Sequence, residues 1–237
     1  MKTSVVQSIS SREESKNRLI EAGVELFSKY SFEGTSTRML AEKAGVNLAS
    51  ISYHFGGKEG LYIATVQRIV RQIQAKIAPG FELVNAELGK NDLSKRDCFK
   101  LICQMLETVM RTMLSSPEAR FWQGIILSEQ REPTGAFDLM YEQLFSPLKK
   151  TLSHLVGLIL ETSPTSQKVI LMVATIISQV IIFRVARETL VRALNWKGYT
   201  GKEIGAILKV VLENVRSMLH LKEIPIPASS KLGGPLE

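Results

Sequence analysis

The chain has 237 residues, 45% hydrophobic and 22% charged, with a formal net charge of +7. That is enough apolar mass to bury a core unaided, and it excludes a disordered chain. Cys98 and Cys103 are the two cysteines, with no CxxC and no second pair; a disulfide scaffold and a zinc centre are excluded, leaving two buried, reduced thiols in a cytosolic protein as the plain reading.

In chain order, the first dozen residues hold no apolar run of signal-peptide length. Apolar spacing near 3.6 residues then dominates, with almost no two-residue alternation, so the fold class is all-α. A first helix begins near Arg12 and carries Leu19, Gly23, Leu26, Phe27 and Tyr30 on one face. Thr35 is placed as the N-cap of a short helix whose inner face is Leu40, Ala41 and Ala44. Gly45 supplies a turn with positive φ and Val46 plugs the core beneath it. A second short helix runs from about Asn47 to His54, with Ile51 and Phe55 inward. Two short helices joined by a glycine turn make a helix-turn-helix. The outer side of the second shows Asn47, Leu48, Ser50, Ser52, Tyr53 and His54, small or hydrogen-bonding groups suited to a DNA groove.

Tyr62, Val66, Ile69, Ile73 and Ile77 mark the next helix, and Ala78-Pro79-Gly80 is predicted to break it. The domain boundary is placed there. Residues 1–78 form an N-terminal three-helix helix-turn-helix domain, 79–223 a larger C-terminal helical bundle, and 224–237 a mobile tail rich in Pro, Gly and Ser. The last pair, Leu236-Glu237, is either native or a cloning remnant. Longer helices are predicted over 95–115, 118–131, 134–160 with Pro147 kinking or splitting it, 166–194 and 201–221. The apolar run from Val169 to Phe183 is interrupted by Thr175, Ser178 and Gln179. It reads as a helix buried on several faces inside protein rather than a membrane span.

The last two long helices are apolar on more than one face. Val169, Val173, Ile176, Ile177, Val180, Ile207, Val211 and Val215 are assigned to a two-fold four-helix dimer interface. Phe121, Trp122, Tyr141 and Phe145, with the polar Glu129, Gln179 and Arg184, are the candidates for a small-ligand cavity, against ordinary core packing.

The segment FSKYSFEGTSTRMLAEKAGVNLASISYHFGGKEGLY resembles the DNA-binding domain of TetR/AcrR-type bacterial regulators. Thr35-Ser36, Arg38, Leu40-Ala41, Ala44-Gly45-Val46, Tyr53-His54-Phe55 and Lys58-Glu59 carry the likeness; Met39, Ala49 and Ser52 depart from the usual pattern and bear on the operator rather than the fold. The helical remainder resembles a ligand-sensing, CecR-like subgroup. The resemblance implies that Tyr53 and Lys58 grip phosphates, with Thr35, Ser36, Arg38 and Ser50 adding sugar-phosphate contacts. Asn47, Leu48, Ala49, Ser52 and His54 would approach base edges. Each has a plainer competitor: Tyr53 as packing, Lys58 and Arg38 as solvated cations, and Thr35, Asn47 and His54 as caps.

Charge is a caution: the N-terminal part is only modestly denser in positive charge, so non-specific affinity is expected to be weak and a dimer to be needed to double the phosphate contacts. Residues 1–78 hold eleven Lys or Arg against seven Asp or Glu, and 79–237 hold nineteen against sixteen. The expected protein is a cytoplasmic, nucleoid-associated repressor, a homodimer on a palindromic double-stranded operator, released by a small apolar effector, with no cofactor, metal or membrane partner. An enzyme is the weaker reading, since His154 and His220 lack a nucleophile pattern and no GxSxG, HExxH or phosphate-cradling loop is present. A helical interaction module or adaptor without DNA binding is the alternative.

Overall fold

The computed structural model describes residues 2–89 and 92–227, with side chains from Arg12 onward. The described residues contain helices and no strand: α1 (Lys2–Gly34), α2 (Thr37–Ala44), α3 (Ala49–Phe55), α4 (Lys58–Leu88), α5 (Lys95–Ser115), α6 (Ala119–Arg131), α7 (Gly135–Met140), α8 (Ser146–Leu160), α9 (Gln167–Val185), α10 (Arg187–Ala193) and α11 (Gly201–Met218). The all-α expectation holds.

They gather into two compact units, one of Met1–Ile73 with Pro117–Leu144, the other of Gln74–Ser116 with Phe145–Glu237. The contiguous division expected at residue 78 therefore differs from the packing. Helices α6 and α7 return to the N-terminal helices, and the first crossing falls inside α4. No break occurs at Ala78-Pro79-Gly80; α4 runs through it with Pro79 inside. The glycine serves packing instead, because a Cβ on Gly80 would lie 2.4 Å from Thr108 Oγ1 on α5.

In the first unit, Leu19 and Phe27 of α1, Leu40 and Ala41 of α2, Ile51 of α3, Leu61, Tyr62, Val66 and Ile69 of α4, and Trp122 and Ile125 of α6 are buried. Tyr30, expected on the inner face of α1, is exposed. A Cβ on Gly124 would meet Ser28 O at 2.2 Å, so α6 crosses α1 nearly backbone on backbone.

The second unit is a bundle in which α5, α8, α9 and α11 share one apolar core. Both cysteines lie within it, and burial pushes the Cys103 thiol up to about 12. Ser94 and Asp97 close a capping box at the start of α5, as do Thr200 and Glu203 at α11. Pro147 does split its helix: α7 ends in a π-helical turn, Tyr141–Phe145, and α8 restarts with the proline in its first turn, where no N–H is needed. The predicted helix over 166–194 divides at Ala186. Ile224 and Ile226 pack against the core, so the expected tail does not begin at 224; residues 228–237, including Leu236-Glu237, lie outside the described residues.

The assigned dimer stripe is corrected most. Val169, Val173, Ile176, Val180, Ile207, Val211 and Val215 are buried in the unit's own core, and Ile177 packs against it. Two apolar stripes on a helix do not reveal which one turns inward. The face left exposed on α9 holds Ile170, Leu171, Ile181, Ile182 and Val185 with Ala174, Thr175 and Ser178 among them, and Val210 is exposed on α11. α9 is 19 residues long with mean hydropathy 2.0, enough to cross a membrane by length and composition, yet only 22% of it is buried. It is thus buried along one face, not the several expected.

Candidate nucleic-acid interface

The paired-helix head is built from local chemistry. Ser36, not Thr35, caps α2, its Oγ accepting the Met39 N–H at 3.2 Å. Thr35 is 1% exposed and its hydroxyl donates to Ser31 O at 2.8 Å, so its side chain is removed from the interface. At the other end of α2, Gly45 is left-handed (φ 62°), and the N–H groups of Gly45 and Val46 reach back to Glu42 O and Ala41 O. This closes the helix and turns the chain toward α3.

Asn47 caps the recognition helix: its Oδ1 accepts the Ala49 N–H at 2.9 Å, and α3 begins at Ala49 rather than at Asn47. The carboxamide N–H groups of Asn47 keep their donors for a second partner. Ile51 is buried at 1% exposure and fixes the rotation of α3 about its axis. That rotation leaves Asn47, Leu48, Ala49, Ser52 and Tyr53 exposed, with Ser50, His54 and Phe55 half-buried. Tyr53 is 66% exposed and Leu48 52%. No acidic residue occurs between Lys43 and Lys58, so nothing on α3 repels a phosphate.

Arg12 completes this surface from α1, its guanidinium 5.0 Å from the centre of the Tyr53 ring. It lies far from the motif in sequence, and no pattern links the two. Arg38 is exposed on α2. Lys58, read as a phosphate grip, is half-buried; its Nζ donates to Phe32 O at 3.0 Å and sits 4.2 Å above the Phe32 ring. It ties α4 to the end of α1 and keeps two donors. Directly behind it, α4 abuts α3 so closely that a Cβ on Gly60 would lie 1.9 Å from Phe55 O.

The seven ligand candidates are divided between the two units. Phe121, Trp122, Glu129 and Tyr141 belong to the first unit, and Phe145, Gln179 and Arg184 to the second. Trp122 is fully buried, with its indole N–H 3.3 Å from Gln72 Oε1. Glu129 is buried and accepts from Tyr62 Oη at 2.6 Å and from Thr134 N at 2.9 Å. Tyr141 is exposed and stacks beside Phe137. Gln179 reaches the Met218 sulfur at 3.4 Å. Burial holds the Arg184 guanidinium below its usual range, and its Nε is buried with no hydrogen-bond partner. Two concavities in the second unit, of about 380 and 200 Å³, are lined around His154 and Pro164 and around Leu83 and Lys100; none of the seven borders either.

Comparison with known proteins agrees with this geometry. Residues 19–65 match the model for bacterial regulatory proteins of the tetR family, and residues 100–220 match that for the C-terminal domain of the HTH-type transcriptional dual regulator CecR. The chain is 28% identical over 208 residues to the dual regulator CecR of Shigella flexneri, covering 88% of this chain and 92% of that one. Among solved structures, a TetR-like transcriptional regulator from Rhodococcus sp. RHA1 superposes with a TM-score of 0.57 at 20% identity, over 86% of this chain and 95% of that one. SCO4454, a TetR-family regulator from Streptomyces coelicolor, gives 0.55 at 12%, over 88% and 95%. These relatives are described as transcriptional regulators. The chain belongs to the tetR family of bacterial regulatory proteins and carries a C-terminal domain of the CecR type.

Proposed function

We propose that this regulator is a cytoplasmic, nucleoid-associated homodimer that binds a near-palindromic operator through α3 and is released by a small apolar effector. The observation that carries the DNA reading is the exposed outer side of α3, polar and aromatic, free of acidic residues and set on a rigid paired-helix head. Tyr53, Arg12, Arg38, Ser36, Ser50 and the remaining donors of Lys58 serve the sugar-phosphate chain. Asn47, Leu48, Ala49, Ser52 and His54 face base edges, Leu48 and Ala49 through apolar contact such as a thymine methyl. The N-terminal 78 residues read DNA; residues 79–223 sense and dimerise.

Dimerisation is supported by the apolar outer face of α9, which a second copy would cover in place of lipid. A two-fold axis would set the two reading heads about 34–36 Å apart, in successive major grooves. The effector would act by preferring a conformer with a different spacing. Arg184 and Arg216, each with a buried Nε without a hydrogen-bond partner, are polar groups in the second unit that a ligand would gain by meeting. The Shigella relative is described as a dual regulator; repression is the proposed first action here, and a reporter at each bound promoter reads the sign.

The test is selection of duplexes from a random-sequence pool by the folded protein, followed by mobility shift at low salt. Enrichment of an inverted repeat with half-sites one turn apart is expected. Folded dimer that enriches no sequence rejects the proposal in favour of an interaction module.

A further inference from the structure

On the reading that α3 meets DNA, we propose that Glu129 is a positioning residue for DNA binding, acting from α6 through Tyr62 on the first turn of α4. Three donors converge on its buried carboxylate: Tyr62 Oη at 2.6 Å, Thr134 N at 2.9 Å and Thr134 Oγ1 at 2.9 Å. Thr134 is in turn the N-cap of α7, its Oγ1 accepting from Ala136 N at 3.1 Å. A carboxylate, which only accepts, matches this set. Burial and the adjacent carboxylate push the Tyr62 phenol well above its ordinary range, so it remains a donor at any working pH.

The chain of contact then runs to the reading head. The Tyr62 ring is 1% exposed and packs edge-on against Phe27 at 4.8 Å and tilted against Phe32 at 5.0 Å. Phe32 carries Lys58 on its face and on its carbonyl. Lys58 and Tyr62 are one turn apart on α4, and between them Gly60 touches the last turn of α3. Glu129 itself rides on α6, which is seated on α1 at Gly124. The Tyr62–Glu129 hydrogen bond thus ties α6 to the α4 start, against which α3 is stacked. Displacing that start spoils the register of base contacts and moves one phosphate-binding cation, Lys58, while Arg12 and Arg38 lie on α1 and α2 and not on it.

Glu129→Gln keeps the volume but turns an amide N–H₂ toward convergent donors; Tyr62→Phe removes one oxygen. Each is measured as the full-length protein on two probes: the duplex selected by the wild type and a scrambled duplex of equal length. Affinity for the selected duplex is expected to fall about tenfold in each variant, and for the scrambled one less than threefold. The double variant is expected to be no worse than either single, since both remove one interaction. Circular dichroism at the assay temperature establishes the folded fraction. Should Glu129→Gln not fold, Tyr62→Phe carries the same two-probe comparison. Equal losses on both duplexes, as a merely structural defect would give, overturn the proposal, as do losses that multiply in the double variant. A wild-type protein that selects no duplex removes the DNA-binding reading and this one together.

Discussion

The outer faces of α3 and α9 are both exposed, and their chemistry is opposite. That of α3 is mostly polar, with asparagine, serine and tyrosine beside Leu48 and Ala49, around a single buried isoleucine. That of α9 is mostly isoleucine, leucine and valine, broken by Thr175 and Ser178, opposite a row of buried valines and one isoleucine. A polar face needs no cover in water, so α3 can wait for its partner; an apolar face costs about 25 cal/mol for each Å² left wet, so α9 cannot. On the proposed dimer, the contrast is that between an occasional partner and a permanent one.

The largest expected effect breaks the proposed dimer contact. Ile181→Glu or Leu171→Glu places a charge on the α9 outer face without touching the core. Sedimentation is expected to show a folded monomer, and affinity for the selected duplex to fall by about a hundredfold or more, because two linked heads become two separate ones. A variant that stays dimeric would move the interface away from α9. The complementary change, Ile176→Ala, opens a cavity at a fully buried position. It is expected to cost about 2–5 kcal/mol in urea denaturation while leaving the association of the folded fraction unchanged. Together the two variants distinguish the inner from the outer face of one helix.

Much of the reading head was legible beforehand because its signals are local. Gly45 takes a positive φ and Ile51 falls at the inward position. The breaks at Pro117, Pro133 and Pro147 and the helix over 95–115 followed from the same local rules. What failed depended on partners distant in sequence. Pro79-Gly80 looked like a break until Thr108 was seen to require the missing Cβ. Thr35 and Ser36 are equally good caps on paper, and only the carbonyl of Ser31 decides between them. Glu129 looked like a pocket residue because its partner, Tyr62, is 67 residues away. Arg12 reaches Tyr53 across a helix pair that no periodicity encodes.

On the α3 side the expected effects are smaller, since each contact is one of many. Tyr53→Ala is expected to weaken selected and scrambled duplexes alike, by about tenfold, or about 1.4 kcal/mol. Ser52→Ala is expected to change which base is preferred at one position and to leave the scrambled duplex unaffected. Equal loss on both probes for Ser52→Ala would move it from base edges to the backbone.

The smallest effect concerns the scaffold under α3, and it sharpens the contrast from the other direction. Ser31 stands at φ 61°, ψ 179°, inside the span assigned to α1. That backbone region is open to glycine and costs a side chain about 1–3 kcal/mol. Glycine gives back about 1 kcal/mol through its looser unfolded chain. The Ser31 carbonyl, which receives the Thr35 hydroxyl, is backbone and survives the exchange. Ser31→Gly is therefore expected to raise stability by about 1 kcal/mol, read as a higher urea midpoint, with DNA affinity within twofold of wild type. A lower midpoint would mean that the serine hydroxyl contributes more than its backbone costs. The reading head would then be held at this corner by a side chain, as α9 is held by its valines, rather than strained by one.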